Sequence, residues 1–276
     1  MDNIKTFISN ALKEDIGPGD LTTEALVPPD VEGKAELIAK EPLIIAGIEA
    51  AREVFKQVDP RTSVTANCAD GHELTSGTVI ASISGKLASL LTAERVALNF
   101  LQRLSGVATL TRQYVNGIEG TKARIVDTRK TTPGLRTLEK YAVRIGGGKN
   151  HRFGLFDGIL IKDNHIAAVG SLIEAVKRAR EKAPHTLKIE VETENLDQVR
   201  EAISAGAGII MLDNMDIETM KEAVRVINGK ALIEASGGIN LNNVRQVAET
   251  GVDLISVGAI THSARSMDIS MEITNA

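Results

Sequence analysis

The chain carries one cysteine, Cys68, in 276 residues. An intrachain disulfide is therefore excluded, and a reducing compartment fits best. Cys68 sits in a short polar segment and reads as an unreactive thiol. There is no tryptophan, and aromatic residues make up only 3% of the chain. Stacking platforms for single-stranded nucleic acid are thus largely missing. A net charge of −4 and a pI of about 5.8 also speak against a nucleic-acid partner. No apolar run approaches the roughly 20 residues that a membrane span requires, and the opening MDNIKTF is not a signal peptide. The expectation is a cytoplasmic protein with neither membrane nor nucleic-acid partner. No GxGxxG follows the first strand of the parallel region, so dinucleotide binding is weakly supported. No Ser-His-Asp or Cys-His arrangement offers a protein nucleophile.

What is present is ordinary for a globular protein: 43% hydrophobic and 25% charged residues. The length suits one large α/β domain or two smaller ones. Ile4, Phe7, Ile8, Ala11 and Leu12 recur at helical spacing, and GPGD at 17–20 ends that helix in a turn. Short strands are predicted at 31–39, 42–46, 61–67 and 78–84, with a helix over 47–58. This mixture lacks a regular βα alternation and suggests a small α+β layer. A strong helix is predicted over 90–104 with Thr92 as its N-cap. Gly106 is expected to break it before a second helix over 107–118, near a domain boundary. Arg95 and Arg103 lie off the apolar stripe and read, by spacing alone, as solvated surface residues.

From Ala123 the rhythm becomes regular. Apolar strands are predicted at 124–127, 158–162, 187–191, 208–212, 231–235 and 253–257, with helices at 171–182, 196–205, 217–227 and 242–250. Gly206 and Gly251 sit where helix C-caps belong. Successive βα units indicate a parallel sheet, either doubly wound or a (β/α) barrel with fewer strands than a closed one needs. Each strand exits into polar or glycine residues: Thr128-Arg129-Lys130, Lys162-Asp163-Asn164-His165, Glu192, Asp213-Asn214, Ser236-Gly237-Gly238 and Gly258-Ala259. Both parallel folds bind ligands at that end.

The stretch 127–165 holds a local excess of cations in an acidic protein. A solvated helix face accounts for Arg136, Glu139 and Lys140. It does not account for Arg129, Lys130 and Lys162, which leave the ends of apolar strands and so face a cleft. Arg, Lys and His there suit a polyanionic small molecule. His151, beside Arg152, is a candidate anion ligand, whereas His165 is equally well explained as structural. His72, His185 and His262 receive no role. Ser236, Gly237, Gly238 and Gly258 could close backbone N–H groups around a phosphate at a helix N-terminus, a plain βα turn being the alternative. Glu192 and Asp213 could hold sugar hydroxyls or Mg²⁺-bound water, with structural salt bridges as the alternative.

DTRKTTPGLRTLEKYAV, GGGKNHRFGL and LIKDNH resemble the quinolinate phosphoribosyltransferase family. So do EDIGPGDLTTEALVP, LLTAERVALNFLQRLSGVAT, EVET, IIMLDNM, EASGGIN and ISVGAITHSA, so that the resemblance spans nearly the whole chain. It implies an α/β fold: an N-terminal α/β sandwich domain over 1–105 plus a C-terminal incomplete (β/α) TIM-like barrel over 106–265. The tail 266–276 would return to the first domain. It implies a homodimer, or a higher oligomer, whose active sites are shared between subunits. It further implies transfer of a phosphoribosyl group from 5-phosphoribosyl 1-pyrophosphate (PRPP) to quinolinate, giving nicotinate mononucleotide, pyrophosphate and CO₂. By the resemblance Arg95 from the partner, with Thr128, Arg129, His151, Arg152 and Lys162, would hold quinolinate. Lys130, Glu192, Asp213, Ser236, Gly237, Gly238, Gly258 and Ala259 would hold PRPP. Lys130, Lys162, Glu192 and Asp213 would serve the chemistry, with Mg²⁺ bound through PRPP and water rather than by direct protein ligands. Two other readings are a Schiff-base lyase or aldolase using Lys162, and an anion-binding protein without catalysis.

Overall fold

A computed structural model of the protein describes residues 2–274; residues 275–276 of the expected returning tail lie outside the described residues. The strands in chain order are β1 (Glu32–Ala39), β2 (Leu43–Ile44), β3 (Ser63–Ala66), β4 (Glu73–Leu74), β5 (Val79–Lys86) and β6 (Arg124–Val126). They continue as β7 (Ile159–Ile161), β8 (Ile189–Thr193), β9 (Ile209–Asp213), β10 (Leu232–Ser236), β11 (Leu254–Ser256) and β12 (Ile269–Thr274). The chain divides into two compact units. The first comprises Met1–Leu110, Pro133–Gly146 and Ala264–Ala276, and the second Thr111–Thr132 and Gly147–Ser263. No described helix is long and apolar enough to cross a membrane.

The first unit is built on a four-stranded sheet in the order β12-β1-β5-β3. Along β1 the odd-numbered residues Gly33, Ala35, Leu37 and Ala39 are buried, which is the period of two expected for a half-covered sheet. β12 pairs antiparallel with β1, from Lys34 opposite Thr274 to Ala39 opposite Ile269. The helix Ile48–Val58 buries Ile48, Ala51, Val54 and Phe55, a stripe set by its 3.6-residue period.

Several expectations fail in this unit. Gly106 does not break a helix: a single helix runs from Leu87 to Gly117, with Thr92 inside it rather than at its cap. A Cβ at Gly106 would lie 1.9 Å from the carbonyl oxygen of Arg265, so the glycine is there for close backbone approach. Nor are Glu139 and Lys140 solvated, for they are 0% and 1% exposed on the helix Arg136–Ile145. The Glu139 carboxylate accepts from Arg103 Nη2 at 2.6 Å and from Nε at 3.1 Å, and Arg103 Nη1 also donates to the carbonyl of Ala264 at 2.6 Å. Arg103 is therefore a packed, paired residue and not a surface one.

The second unit is a parallel sheet of six strands in the order β6-β11-β10-β9-β8-β7. Apolar β-branched and aliphatic residues fill these strands, as burial on both faces requires. Helices over Leu172–Lys182, Leu196–Ser204, Ile217–Ile227 and Val244–Glu249 link them. Ser171 caps the first of these through its side chain, Asn195 the second and Asp216 the third. This is a (β/α) barrel left incomplete, since β6 and β7 are its two ends. Lys149 adds a single parallel bridge to Val126 beside β6.

Candidate active site

The carboxyl ends of these strands enclose a cavity of about 440 Å³. Its wall includes Thr128, Arg129, Lys130, His151, Arg152 and Lys162. Glu192, Asp213, Asn214, Ser236, Gly237 and Gly238 also line it, and strand side chains Leu160, Met211, Glu234 and Ser256 contribute the rest of the lining. Nearly all residues singled out from the sequence thus meet in one place. Gly258, Ala259 and Arg95 do not line it. Gly258 lies against the stem of Lys130, where a Cβ would come within 3.1 Å of Cδ. Arg95 is exposed on the helix Leu87–Gly117 in the first unit.

The cationic side is held by buried groups. Asp127 ends the apolar run of β6 and is 0% exposed. Its Oδ1 accepts from the His151 amide at 2.8 Å and its Oδ2 from Asn150 Nδ2 at 2.6 Å. Asp127 thereby fixes the segment that carries His151 and Arg152. Thr128 Oγ1 accepts from the amide of Lys130 at 3.0 Å, and Thr261 Oγ1 donates to the Lys130 carbonyl at 2.7 Å. Arg152 Nη1 donates to the carbonyl of Gly158 at 3.0 Å. Burial, with repulsion from Arg129 added, pulls the Arg152 guanidinium below its ordinary pKa. Lys162 Nζ donates to Glu192 Oε2 at 2.6 Å. That ion pair marks Lys162 as a cation in the wall, not the isolated amine in an apolar pocket that Schiff-base chemistry favours. His165 has a structural place, its Nδ1 accepting from the amide of Lys162 at 3.0 Å.

The opposite side is a glycine loop. Gly237 and Gly238 both have left-handed backbones, with φ of +86° and +64°. A Cβ at Gly237 would fall 2.2 Å from Asn214 Oδ1, so only glycine fits. The Gly238 carbonyl is turned toward Asn240 and Asn243, whose side-chain amides donate to it at 3.3 and 3.0 Å. The next helix begins only at Val244, so these glycines do not open it as the sequence suggested. The glycines in the cavity wall thus belong to a loop rather than to a helix end.

Two residues of the cavity region were not foreseen. Glu190 and Glu234 project from β8 and β10, 4% and 0% exposed. His151 Nε2 lies 3.1 Å from Glu190 Oε2 and 3.5 Å from Glu234 Oε2. The ring of His151 is thus turned toward this pair, while its Nδ1 accepts from the amide of Arg152 at 2.8 Å. Among the described residues this is the one cluster of three groups whose spacing could hold a cation. Burial, reinforced by Glu190, pushes the Glu234 carboxyl up to about 7. The signal was a glutamate in the middle of each of two apolar strands, where an unpaired charge is not tolerated. Asp127, Asn214 and Ser256 were missed for the opposite reason, because their residue types look ordinary at a strand end.

Fold and cavity together define an α/β-barrel site built for a small molecule bearing several negative charges. The C-terminal domain of the quinolinate phosphoribosyl transferase family matches residues 107–272, and its N-terminal domain matches residues 20–105. The chain is 49% identical over 271 residues to a probable nicotinate-nucleotide pyrophosphorylase [carboxylating] of Bacillus subtilis, covering 98% of this chain and 93% of that one. It is 42% identical over 290 residues to a chloroplastic nicotinate-nucleotide pyrophosphorylase [carboxylating] of Arabidopsis thaliana, covering 98% and 83%. The solved nicotinate-nucleotide pyrophosphorylase of Francisella tularensis superposes with a TM-score of 0.95 at 42% identity, covering 99% and 96%. The chain belongs to the quinolinate phosphoribosyltransferase family.

Proposed function

We propose that this protein transfers the phosphoribosyl group of PRPP to the ring nitrogen of quinolinate, yielding nicotinate mononucleotide, pyrophosphate and CO₂ for NAD biosynthesis. The observation that carries this is two anion-binding ends in one cavity. Arg129, Arg152 and Lys162 line it together with the Ser236–Gly237–Gly238 loop. Quinolinate places its two carboxylates against the cations, with Thr128 and His151 beside them. The 5′-phosphate enters the glycine loop, with Gly258 and Ala259 near it.

Glu192 and Asp213 line the same cavity and serve the ribose. Glu192 Oε2 accepts from Lys162 and Asp213 Oδ2 accepts from Asn214 at 2.7 Å. One oxygen of each carboxylate is left for a sugar hydroxyl or for water on Mg²⁺. Such a pair fits an ion carried on the diphosphate and not a cage of direct protein ligands. Mg²⁺, when bound there, supplies charge neutralisation. Lys130 and Lys162 hold the diphosphate oxygens as the C1′–O bond breaks. Positive charge then develops at C1′, and a carboxylate of Glu192 or Asp213 stabilises it electrostatically. The ring nitrogen attacks, and the carboxylate next to it departs as CO₂ without any protein nucleophile.

We further propose a homodimer in which Arg95 completes the partner's cavity. The exposure of Arg95 on the helix Leu87–Gly117 supports this reading. The single cysteine supports a reducing compartment such as the cytoplasm. The test is pyrophosphate release from PRPP in the presence of individual pyridine carboxylates. Release with quinolinate is expected; no release with any of them would retire the assignment.

A further inference from the structure

Loss of CO₂ from a pyridine ring leaves an electron pair on the ring carbon, and that carbon must receive a proton. Among the groups lining the cavity, the Arg129 and Arg152 guanidiniums are too weakly acidic to give up a proton, Lys162 donates to Glu192, and Lys130 is assigned to the diphosphate. His151 is also poorly placed. Its Nδ1 accepts the Arg152 amide, which keeps that nitrogen unprotonated, and its Nε2–H is directed at Glu190 and Glu234.

Resting on the proposed function, we propose that Glu234 holds, as a neutral carboxylic acid in the cavity floor, the proton that replaces CO₂ on the ring. Three observations support it. The side chain of Glu234 is wholly buried and its carboxylate oxygens have no close hydrogen bond, with His151 Nε2 at 3.5 Å and Ser256 as polar neighbours, and an ionised carboxylate so weakly supported is disfavoured. Glu190, 4% exposed and also with one unpartnered oxygen, is close enough through His151 for two negative charges to repel. Two carboxylates so placed keep a proton between them. Finally, Glu234 lies between two cavities. It lines the substrate cavity, and with His151 and Arg152 it also lines a second one of about 340 Å³ toward the amino ends of the strands. The proton can therefore be spent on one side and restored by water from the other.

The step balances. The bond between the ring carbon and its carboxylate breaks, CO₂ leaves, and the electron pair stays on carbon beside the positively charged ring nitrogen. The Glu234 O–H bond breaks, a C–H bond forms, and Glu234 is left ionised until water in the lower cavity reprotonates it. The charged groups facing Glu234 are Glu190 and His151; Arg152, Arg124, Lys149, Lys188 and Asp157 line the lower cavity. The Glu234 carboxyl is raised to about 7, by burial first and Glu190 second, so the donor form is present below that pH and is lost above it.

The test is a rapid-quench comparison of wild type and Glu234→Gln, which keeps the shape and removes the acid. CO₂ recombines with the ring carbanion unless the Glu234 proton traps it, so net CO₂ release should slow by about 100-fold, the range general acids supply. Pyrophosphate release in the first turnover should fall far less, so a nucleotide still carrying both carboxylates accumulates. The quinolinate Kd measured by titration should change by less than about threefold, against the tenfold that 1.4 kcal/mol represents. CO₂ release at the wild-type rate and with the wild-type pH profile would overturn the proposal. So would loss of quinolinate binding without that accumulation, which would make Glu234 a packing residue. If Glu234→Gln fails to fold, Glu190→Gln decides. Removing the Glu190 charge lowers the Glu234 pKa, so the alkaline fall in CO₂ release must move to lower pH; an unmoved limb refutes the idea. Failure of wild type to release pyrophosphate at all would instead refute the proposed function.

Discussion

Replacing Gly237 with alanine isolates the phosphate end of the cavity. Gly237 sits at φ +86°, where an L-residue pays about 1–2 kcal/mol. The added methyl also falls 2.2 Å from Asn214 Oδ1 and 2.9 Å from the Asn214 amide nitrogen. Asn214 cannot withdraw freely, because its own φ is +54° and its amide donates to the Ser236 carbonyl at 2.9 Å. Overpacking of this kind adds about 1 kcal/mol or more. Together these amount to about 2–3 kcal/mol, or roughly 30- to 150-fold in PRPP affinity. Gly238→Ala is the internal control. It shares the left-handed backbone, but nothing lies within 4 Å of its new Cβ. Its loss should stay within the conformational share, roughly 5- to 30-fold. Isothermal titration of both variants with PRPP and with quinolinate measures this. Gly237→Ala binding PRPP as wild type does, or losing quinolinate by the same factor, would remove the loop from the phosphate site.

Nicotinate, which lacks one carboxylate, should be used with a catalytic efficiency about 10⁴-fold lower than quinolinate, because a partner group is left unpaired; similar efficiencies would show the wrong substrate. Arg95→Ala mixed with Lys162→Ala should recover activity in about a quarter of all sites if Arg95 acts in trans, once subunit exchange is proven with a tagged variant. No recovery after proven exchange would return Arg95 to a surface role. Arg103→Ala removes the guanidinium that pairs with the buried Glu139 carboxylate and should destabilise the fold by about 1–3 kcal/mol. Thermal unfolding reads it at roughly 2–4 °C per kcal/mol. An unchanged Tm would mean that Glu139 finds another partner.

The barrel was legible because its strands are short apolar runs ending in chemistry: Arg129 and Lys130 after β6, Lys162 after β7, Asp213 closing β9. Burial on both faces makes apolar residues the rule in such a strand until it exits the sheet, with Glu190 and Glu234 as exceptions. The helix through Gly106 was not legible, since its reason is the Arg265 carbonyl some 160 positions away in the chain. Glu139 failed in the same way, because a charged helix face looks identical whether water or Arg103 neutralises it. Spacing left Arg95 on the surface, and only the family resemblance gave it a function. Glu190 and Glu234 were readable in principle, as carboxylates inside apolar strands, but their meeting at His151 requires the register of β8, β9 and β10.

The central claim is that one cavity joins PRPP to quinolinate and removes CO₂. It is tested most directly by quantifying pyrophosphate, CO₂ and nicotinate mononucleotide in a single reaction of the purified protein with both substrates. The account predicts the three products in equal amounts and none of them when quinolinate is withheld. Pyrophosphate formed equally well without quinolinate, or formed with it but unaccompanied by CO₂, would contradict the account.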